Sequence, residues 1–262
     1  MLAAGPCAVE SREQAFKIAK FVKDCGATIF RAGSFKGQNR PIVNGKPAFW
    51  GLGLDAIDIL SDIQKELAIP CVTEVQDIIQ TDWAIRSGLK YLQIGARHCQ
   101  NFPLLRHIAE ILKQTPEQLS YNYGDKAQPF EVILKRGLGN TIDEWIGAAE
   151  HLGGPEKVIL CERGTVHFDR TPQTRWRLDL VGVAYLKEYT DYRVIVDPSH
   201  GSGDRKLVPR LATAGMLISD GLMIEVHYDP DNSPTDAAQT IDFDTFKDLS
   251  EVYDDFSRYY CS

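Results

Sequence analysis

Eight short runs rich in Val, Ile, Leu and Phe alternate with amphipathic stretches along the chain, and few architectures accept that order. The strand-like runs are LAAGPC (2–7), TIFRAG (28–33), CVTEV (71–75), YLQIG (91–95), FEVILK (130–135), KVILCERG (157–164), RVIVDPS (193–199) and GLMIEVH (221–227). Each is followed by a segment with helical spacing of apolar residues, from REQAFKIAKFVKDC after the first to FDTFKDLSEVYDDFSRYY after the last. Strands separated by helices cannot pair as hairpins and must run parallel. Eight such units in 262 residues predict a single (β/α)8 TIM barrel over 1–262. A doubly wound open sheet is the alternative, but the eight units and the lack of a GxGxxG fingerprint weigh for the barrel. The stretch 114–128, QTPEQLSYNYGDKAQ, reads as a polar connection on the barrel's far face, without a function.

Charge and cysteine usage narrow the function. The formal net charge of −7 argues against general nucleic-acid or membrane-surface binding. No apolar run approaches the ~18 residues of a membrane span. The start, MLAAGPCAVE, lacks the basic beginning of a secretory signal. The 6 cysteines are scattered without CxxC pairs, which suits a reduced, cytoplasmic protein better than a disulfide framework or zinc ribbon.

The informative pattern lies where the strands end, since barrel active sites form at the C-terminal ends of the strands. Cys7, Arg31 and Lys36, Glu74, Arg97, Lys135 and Arg136, Glu162 and Arg163, Asp197 and His200, and Glu225 and His227 fall at successive strand ends, with Asp236 beyond the last. Buried separately, so many charges would be costly, so one shared polar cleft is expected. Arg31, Lys36, Arg97, Lys135 and Arg163 form a cationic set that calls for an anion, since cations held together in a partly dry site repel. Singly, each reads equally well as a surface ion pair. Cys7, His200, Glu225 and Asp236 mix soft and hard donors, as a divalent transition ion prefers. Taken alone, Cys7 also reads as core and His200 as a loop cap.

GPCAVES, RAGSFK, QIGARHCQN, LKRGLGNTIDEW, CERGT, VDPSHGSG and DGLMIEVHYDPDNSPTDAAQT together resemble 3-deoxy-D-arabino-heptulosonate 7-phosphate (DAHP) synthases in their compact type I beta form. The motifs occur in order from Gly5 to about Thr240. The related 3-deoxy-octulosonate 8-phosphate (KDO8P) synthases share GPC and CERGT. The resemblance implies condensation of phosphoenolpyruvate (PEP) with an aldose phosphate, erythrose 4-phosphate in the first instance, as the opening step of the shikimate pathway. Arg31, Lys36, Arg97, Lys135 and Arg163 would then hold PEP, and Lys36, Lys135 and His200 would be catalytic. Lys135 would move a proton, its pKa lowered by neighbouring cations. Cys7, His200, Glu225 and Asp236 would bind the metal, Mn²⁺ foremost, with Co²⁺, Fe²⁺ or Zn²⁺ as other fits. A homodimer or homotetramer is expected, with Phe49 and Trp50 at an interface. Without an appended regulatory domain, no feedback inhibition by aromatic amino acids is expected. An isomerase on a phosphate-binding barrel and a non-catalytic paralogue are the readings from other classes; the first needs fewer cations, and the second would be expected to lose metal ligands.

One stretch departs from the family pattern. RAGSFKGQNRPIVNGKPAFWG (31–51) carries Arg31, Lys36, Arg40 and Lys46 without an acid. Where the family has Lys-Pro-Arg-Thr, whose Arg and Thr hold the acceptor's phosphate, this chain has Lys36, Gly37, Gln38 and Asn39. A second departure is TPQTRWRLDL (171–180), in which Arg175 fits the family's pattern and Trp176 and Arg177 do not. Gln38, Asn39, Arg40, Arg175 and Asp197 are the candidate acceptor contacts. Either Arg40 or Lys46 replaces the missing arginine, or the acceptor is a different aldehyde; losing a bidentate contact costs roughly 2–5 kcal/mol.

Overall fold

The computed structural model describes residues 1–37, 41–43, 46–169, 171 and 174–260. Eight parallel strands close a barrel: β1 (Leu2–Gly5), β2 (Ile29–Arg31), β3 (Cys71–Val75), β4 (Tyr91–Ile94), β5 (Glu131–Lys135), β6 (Val158–Glu162), β7 (Arg193–Val196) and β8 (Gly221–Glu225). Each strand pairs with its neighbours in sequence, and β1 pairs with β8 through Leu2 to Leu222 and Gly5 to Glu225. The helices are α1 (Arg12–Asp24), α2 (Leu54–Glu66), α3 (Ile78–Arg86), α4 (Phe102–Leu112), α5 (Pro116–Tyr123), α6 (Ile142–His151), α7 (Leu180–Tyr189), α8 (Pro198–Ser202), α9 (Val208–Met216) and α10 (Phe243–Tyr260).

Two apolar layers hold the barrel together. Ala3, Ile29, Val72, Ile133, Ile159, Cys161, Ile195 and Met223 fill its interior. Their strand neighbours, such as Val132, Leu134, Leu160 and Val194, point outward into a second core against the helices. Burial on both faces explains why these strands read as near-continuous apolar runs. The largest fully buried side chain is Trp145 of α6, whose Nε1 donates to the Leu134 carbonyl at 3.3 Å. Trp145→Ala should destabilise the protein by about 3–5 kcal/mol. A urea midpoint that moves by less than the equivalent of about 1 kcal/mol would show that helix and barrel are not joined there.

The expected strands are all present, most of them shorter at their ends. The run 193–199 stops at Val196 because Pro198 opens α8, with Asp197 as N-cap accepting from His200 N at 2.9 Å. The run 157–164 stops at Glu162, whose side chain accepts from Gly164 N at 2.7 Å. The stretch 114–128 is a correction: it contains α5, with Pro116 in the first turn and a full Thr115–Gln118 capping box. The TPEQ signature was present, but the polar surface of this helix hides its period. In the opening loop, Ile42–Val43 pairs antiparallel with Lys46–Pro47. Lys36 N to Trp50 O at 2.9 Å closes the base of that loop.

Candidate active centre

Strand periodicity builds the centre. Side chains alternate faces, so two residues beyond each inward apolar residue the chain points inward again. Ile29 leads to Arg31, Val72 to Glu74, Ile133 to Lys135, Cys161 to Arg163, Ile195 to Asp197 and Met223 to Glu225. The apolar plug thus carries a charged layer at its C-terminal end, and Arg31, Lys135, Arg163, Asp197 and Glu225 are all buried. Gly5 lets β1 close on β2 at this level. Its φ is +151°, and a Cβ there would lie 2.2 Å from the Arg31 carbonyl oxygen.

Donor atoms of Cys7, Glu225 and Asp236 lie within 4.8 Å of one another. His200 stands beside them, its Nε2 3.7 Å from Glu225 Oε1 and 4.0 Å from Asp236 Oδ2. One thiol, one imidazole and two carboxylates converge from the loop after β1, from α8, from β8 and from the loop after β8. This donor set fits a divalent transition ion. The Cys7 thiol donates to Asp236 Oδ2 at 2.9 Å and accepts from Lys36 Nζ at 2.8 Å. Burial, and then the charge of Glu225, push the thiol well above its ordinary pKa. Burial opposes ionisation of Asp236, but His200 and Lys36 outweigh it and hold the carboxyl low.

Each ligand is held by further contacts. Arg31 Nη1 donates to Glu225 Oε1 at 2.9 Å and to the Pro6 carbonyl at 3.1 Å, while Gln239 Nε2 donates to Glu225 Oε2 at 2.6 Å. Arg31, expected with the PEP cations, therefore sits on a carboxylate of the metal-type group. Asp197, expected as an acceptor contact, is 1% exposed. Its Oδ2 accepts from Lys135 Nζ at 2.6 Å and lies 2.8 Å from His200 Nδ1. Burial works against its charge, yet His200 and Lys135 hold its carboxyl well below the usual range. A carboxylate on one ring nitrogen leaves the other, Nε2, facing the ligand group. The nearest charged partner of Lys135 is thus an acid, not the cations expected around it. Asp197→Asn should weaken metal binding about 10–100-fold. Titration with Mn²⁺, read by calorimetry, checks this, and unchanged affinity would break the link through His200.

Arg163 is the conspicuous cation. It is 5% exposed, its Nη1 donates to the Gly164 carbonyl at 3.4 Å, and its guanidinium carbon lies 5.5 Å from the centre of the Trp176 ring. Among the described residues it has no carboxylate within ion-pair distance, and burial lowers its pKa. Arg97 is exposed and lines a different cavity, of about 580 Å³, with Gly137, Leu138 and Asn140. Lys36 reaches the Cys7 side instead, where it borders a small cavity of about 10 Å³ with Arg31, Glu74 and Gln93. Arg136 and Glu162 pair with each other at 3.1 Å, and Arg136 also reaches Asp179 at 2.7 Å, a structural tie between β6 and α7.

Gln38, Asn39 and Arg40 lie outside the described residues, as does the side chain of Lys46. Arg175 is described: its Nη1 lies 3.5 Å from Asp236 Oδ1, which brings it to the metal-type group. Gln239 and Ser199, whose Oγ accepts from Glu225 N at 3.0 Å, were not singled out from the sequence. Both lie inside quoted motifs, in PTDAAQT and DPSHG, but nothing in a single sequence tells a supporting amide or hydroxyl from an ordinary loop residue.

Relatives carry the same framework. The chain is 34% identical over 251 residues to a Thermotoga maritima phospho-2-dehydro-3-deoxyheptonate aldolase, covering 94% of this chain and 66% of that relative. It is 30% identical over 271 residues to a Bartonella bacilliformis 2-dehydro-3-deoxyphosphooctonate aldolase, covering 98% of this chain and 89% of that one. The crystal structure of the Thermotoga maritima DAHP synthase superposes with a TM-score of 0.84 at 30% identity, over 98% of this chain and 69% of that one. A truncated form of 3-deoxy-D-arabino-heptulosonate 7-phosphate synthase from Thermotoga maritima gives 0.80 at 30% identity, over 98% of this chain and 86% of that one. The sequence model of the DAHP synthetase I family matches residues 1–115 and 124–260, and the chain belongs to that family.

Proposed function

We propose that this protein condenses phosphoenolpyruvate with an aldose phosphate, erythrose 4-phosphate first among them, releasing phosphate. The observation that carries this reading is a buried arginine, Arg163, with no carboxylate within ion-pair distance among the described residues, on the same barrel rim as the Cys7, His200, Glu225 and Asp236 group. A buried cation of this kind is an anion site. The donor group beside it is suited to a divalent ion, Mn²⁺ foremost. Bound there, such an ion would polarise the acceptor's carbonyl.

The chain's own residues supply the rest. Arg163 would take the phosphate or carboxylate of PEP; Arg97, the other arginine the family resemblance assigns to PEP, lies in the loop after β4. Carbon 3 of PEP then forms a bond to the aldehyde carbon, and the aldehyde oxygen takes up a proton. Lys135 Nζ, hydrogen-bonded to Asp197, is the proton carrier on the PEP side. The bond made from carbon 3 leaves carbon 2 cationic. Water adds there and loses one proton, balancing the one taken by the aldehyde oxygen. The bond between carbon 2 and the phosphate oxygen then breaks, as the remaining hydroxyl proton passes to the departing phosphate and the 2-keto group forms. Burial of the charged layer keeps bulk water from competing for the phosphate.

The acceptor is less constrained, because Gln38 and Asn39 stand where the resembling family has the Arg and Thr that hold its phosphate. Arg175, beside Asp236, supports an anionic acceptor. Phosphate release with Mn²⁺ and PEP, measured across erythrose 4-phosphate, arabinose 5-phosphate, ribose 5-phosphate and unphosphorylated aldoses, tests this. The highest kcat/KM is expected with erythrose 4-phosphate. Turnover confined to another aldehyde would move the assignment to a different acceptor, and no turnover with any of them would overturn it.

A further inference from the structure

Adjoining the active centre is a further cavity, of about 460 Å³, which shares Arg175 with the candidate acceptor contacts and whose other lining residues the proposed reaction does not use. It lies between the loop joining β6 to α7 and the helices α8 and α9. Its volume falls in the range of small-molecule sites. The loop is pinned across it: Thr165 and Arg177 exchange backbone hydrogen bonds at 3.0 and 3.1 Å, and Arg175 N donates to Ser202 O at 3.0 Å.

The lining is chemically divided. Leu178, Leu180, Leu207 and Leu211 supply apolar surface, to which Trp176 adds an indole. Among the described residues, Arg175, Arg177 and Arg210 bring three guanidinium groups, against one lining acid, Asp169. Arg175 has Asp236, but Arg177 and Arg210 make no ion pair with a carboxylate among the described residues. Arg177 Nη1 instead lies 3.1 Å from each ring nitrogen of His167, a neighbour that brings no negative charge. In a chain of net charge −7 this cluster of cations is a local exception.

We propose that this cavity binds a small amphipathic anion, an apolar body of about one or two rings bearing a single carboxylate or sulfonate. A bare inorganic anion would leave the leucines unused, and a neutral apolar molecule would leave the arginines without a partner. An occupant would lie against Trp176 and Arg175. These residues touch the two halves of the active centre, Trp176 at 5.5 Å from the Arg163 guanidinium carbon and Arg175 at 3.5 Å from Asp236.

The probe is 1-anilinonaphthalene-8-sulfonate, added to the native protein and read by its fluorescence. Saturable binding at one site is expected, with energy transfer from indole emission that falls in Trp176→Phe. Arg177→Ala/Arg210→Ala should weaken binding at least ten-fold and leave PEP-dependent turnover unchanged. Leu211→Trp, which fills the floor, should abolish binding. N-phenyl-1-naphthylamine, the same body without the sulfonate, should bind at least ten-fold more weakly. The proposal is overturned if binding is not saturable, if the arginine pair variant binds as wild type, or if the neutral analogue binds equally well. The arginine variant changes only exposed side chains, so it gives an answer even if Leu211→Trp does not fold.

Discussion

Cys7→Ala is expected to lower metal-dependent turnover by on the order of a thousand-fold or more, with the protein still folded. Cys7 is the one soft donor in the group, and its sulfur lies in hydrogen-bond contact with both Asp236 and Lys36. Removing it loosens the ion and leaves Lys36 without that partner. The charge stabilisation a bound ion gives a carbonyl is worth several kcal/mol, and each ~1.4 kcal/mol is a factor of about ten in rate. The raised thiol pKa adds a second readout. A thiol above its ordinary value is protonated at neutral pH, and binding as thiolate expels that proton. The apparent metal affinity should therefore rise with pH, by up to about ten-fold per unit, for as long as pH stays below the thiol's pKa. Calorimetry in buffers of different ionisation enthalpy counts the proton, and Cys7→Ala should lose it. Full activity in that variant would remove Cys7 from the centre.

For Arg163→Ala, the PEP KM should rise about 30- to 5000-fold, from loss of a desolvated charged contact worth roughly 2–5 kcal/mol. The acceptor KM should move by no more than a few-fold. Stability gives the discriminating readout. An arginine held in place for structure would destabilise the fold when truncated. Arg163 is buried, with its ionisation already disfavoured by that burial, so the alanine variant should be as stable as wild type or more so. Arg163→Lys should recover only part of the PEP affinity, since an ammonium lacks the planar fork that matches a phosphate or carboxylate. An unchanged PEP KM would contradict the assignment.

Much of this was legible in the sequence, for a specific reason. The barrel follows from the order of apolar runs, and the charged layer follows from the period of two within each run: Ile133 then Lys135, Ile195 then Asp197, Met223 then Glu225. Such periodicity fixes which side chains share a level, Glu225 among them, whereas Cys7 and Asp236 stand on loops beyond the strands and are read from their places after the strand ends and in the motifs. Periodicity does not fix which neighbour a long side chain chooses. Arg31 turned to Glu225, and Lys135 to Asp197, because rotamers depend on contacts between strands far apart in sequence. Asp197 illustrates the same limit: its level was readable, while its place between Lys135 and His200 depends on the turn at Pro198. The helix at 116–123 was missed although its capping signature was present, because a short, polar helix gives little apolar period to read.

The proposed reaction bonds carbon 3 of PEP to the carbon of an aldehyde at this centre. The most direct measurement is ¹³C NMR of PEP labelled at carbon 3, incubated with the protein, Mn²⁺ and erythrose 4-phosphate. The vinyl resonance should be replaced by a methylene resonance of a longer-chain 2-keto acid product, one per phosphate released, and a chelator should stop this conversion. Labelled pyruvate as the product, or PEP left intact with every aldehyde tried, would contradict the proposed reaction.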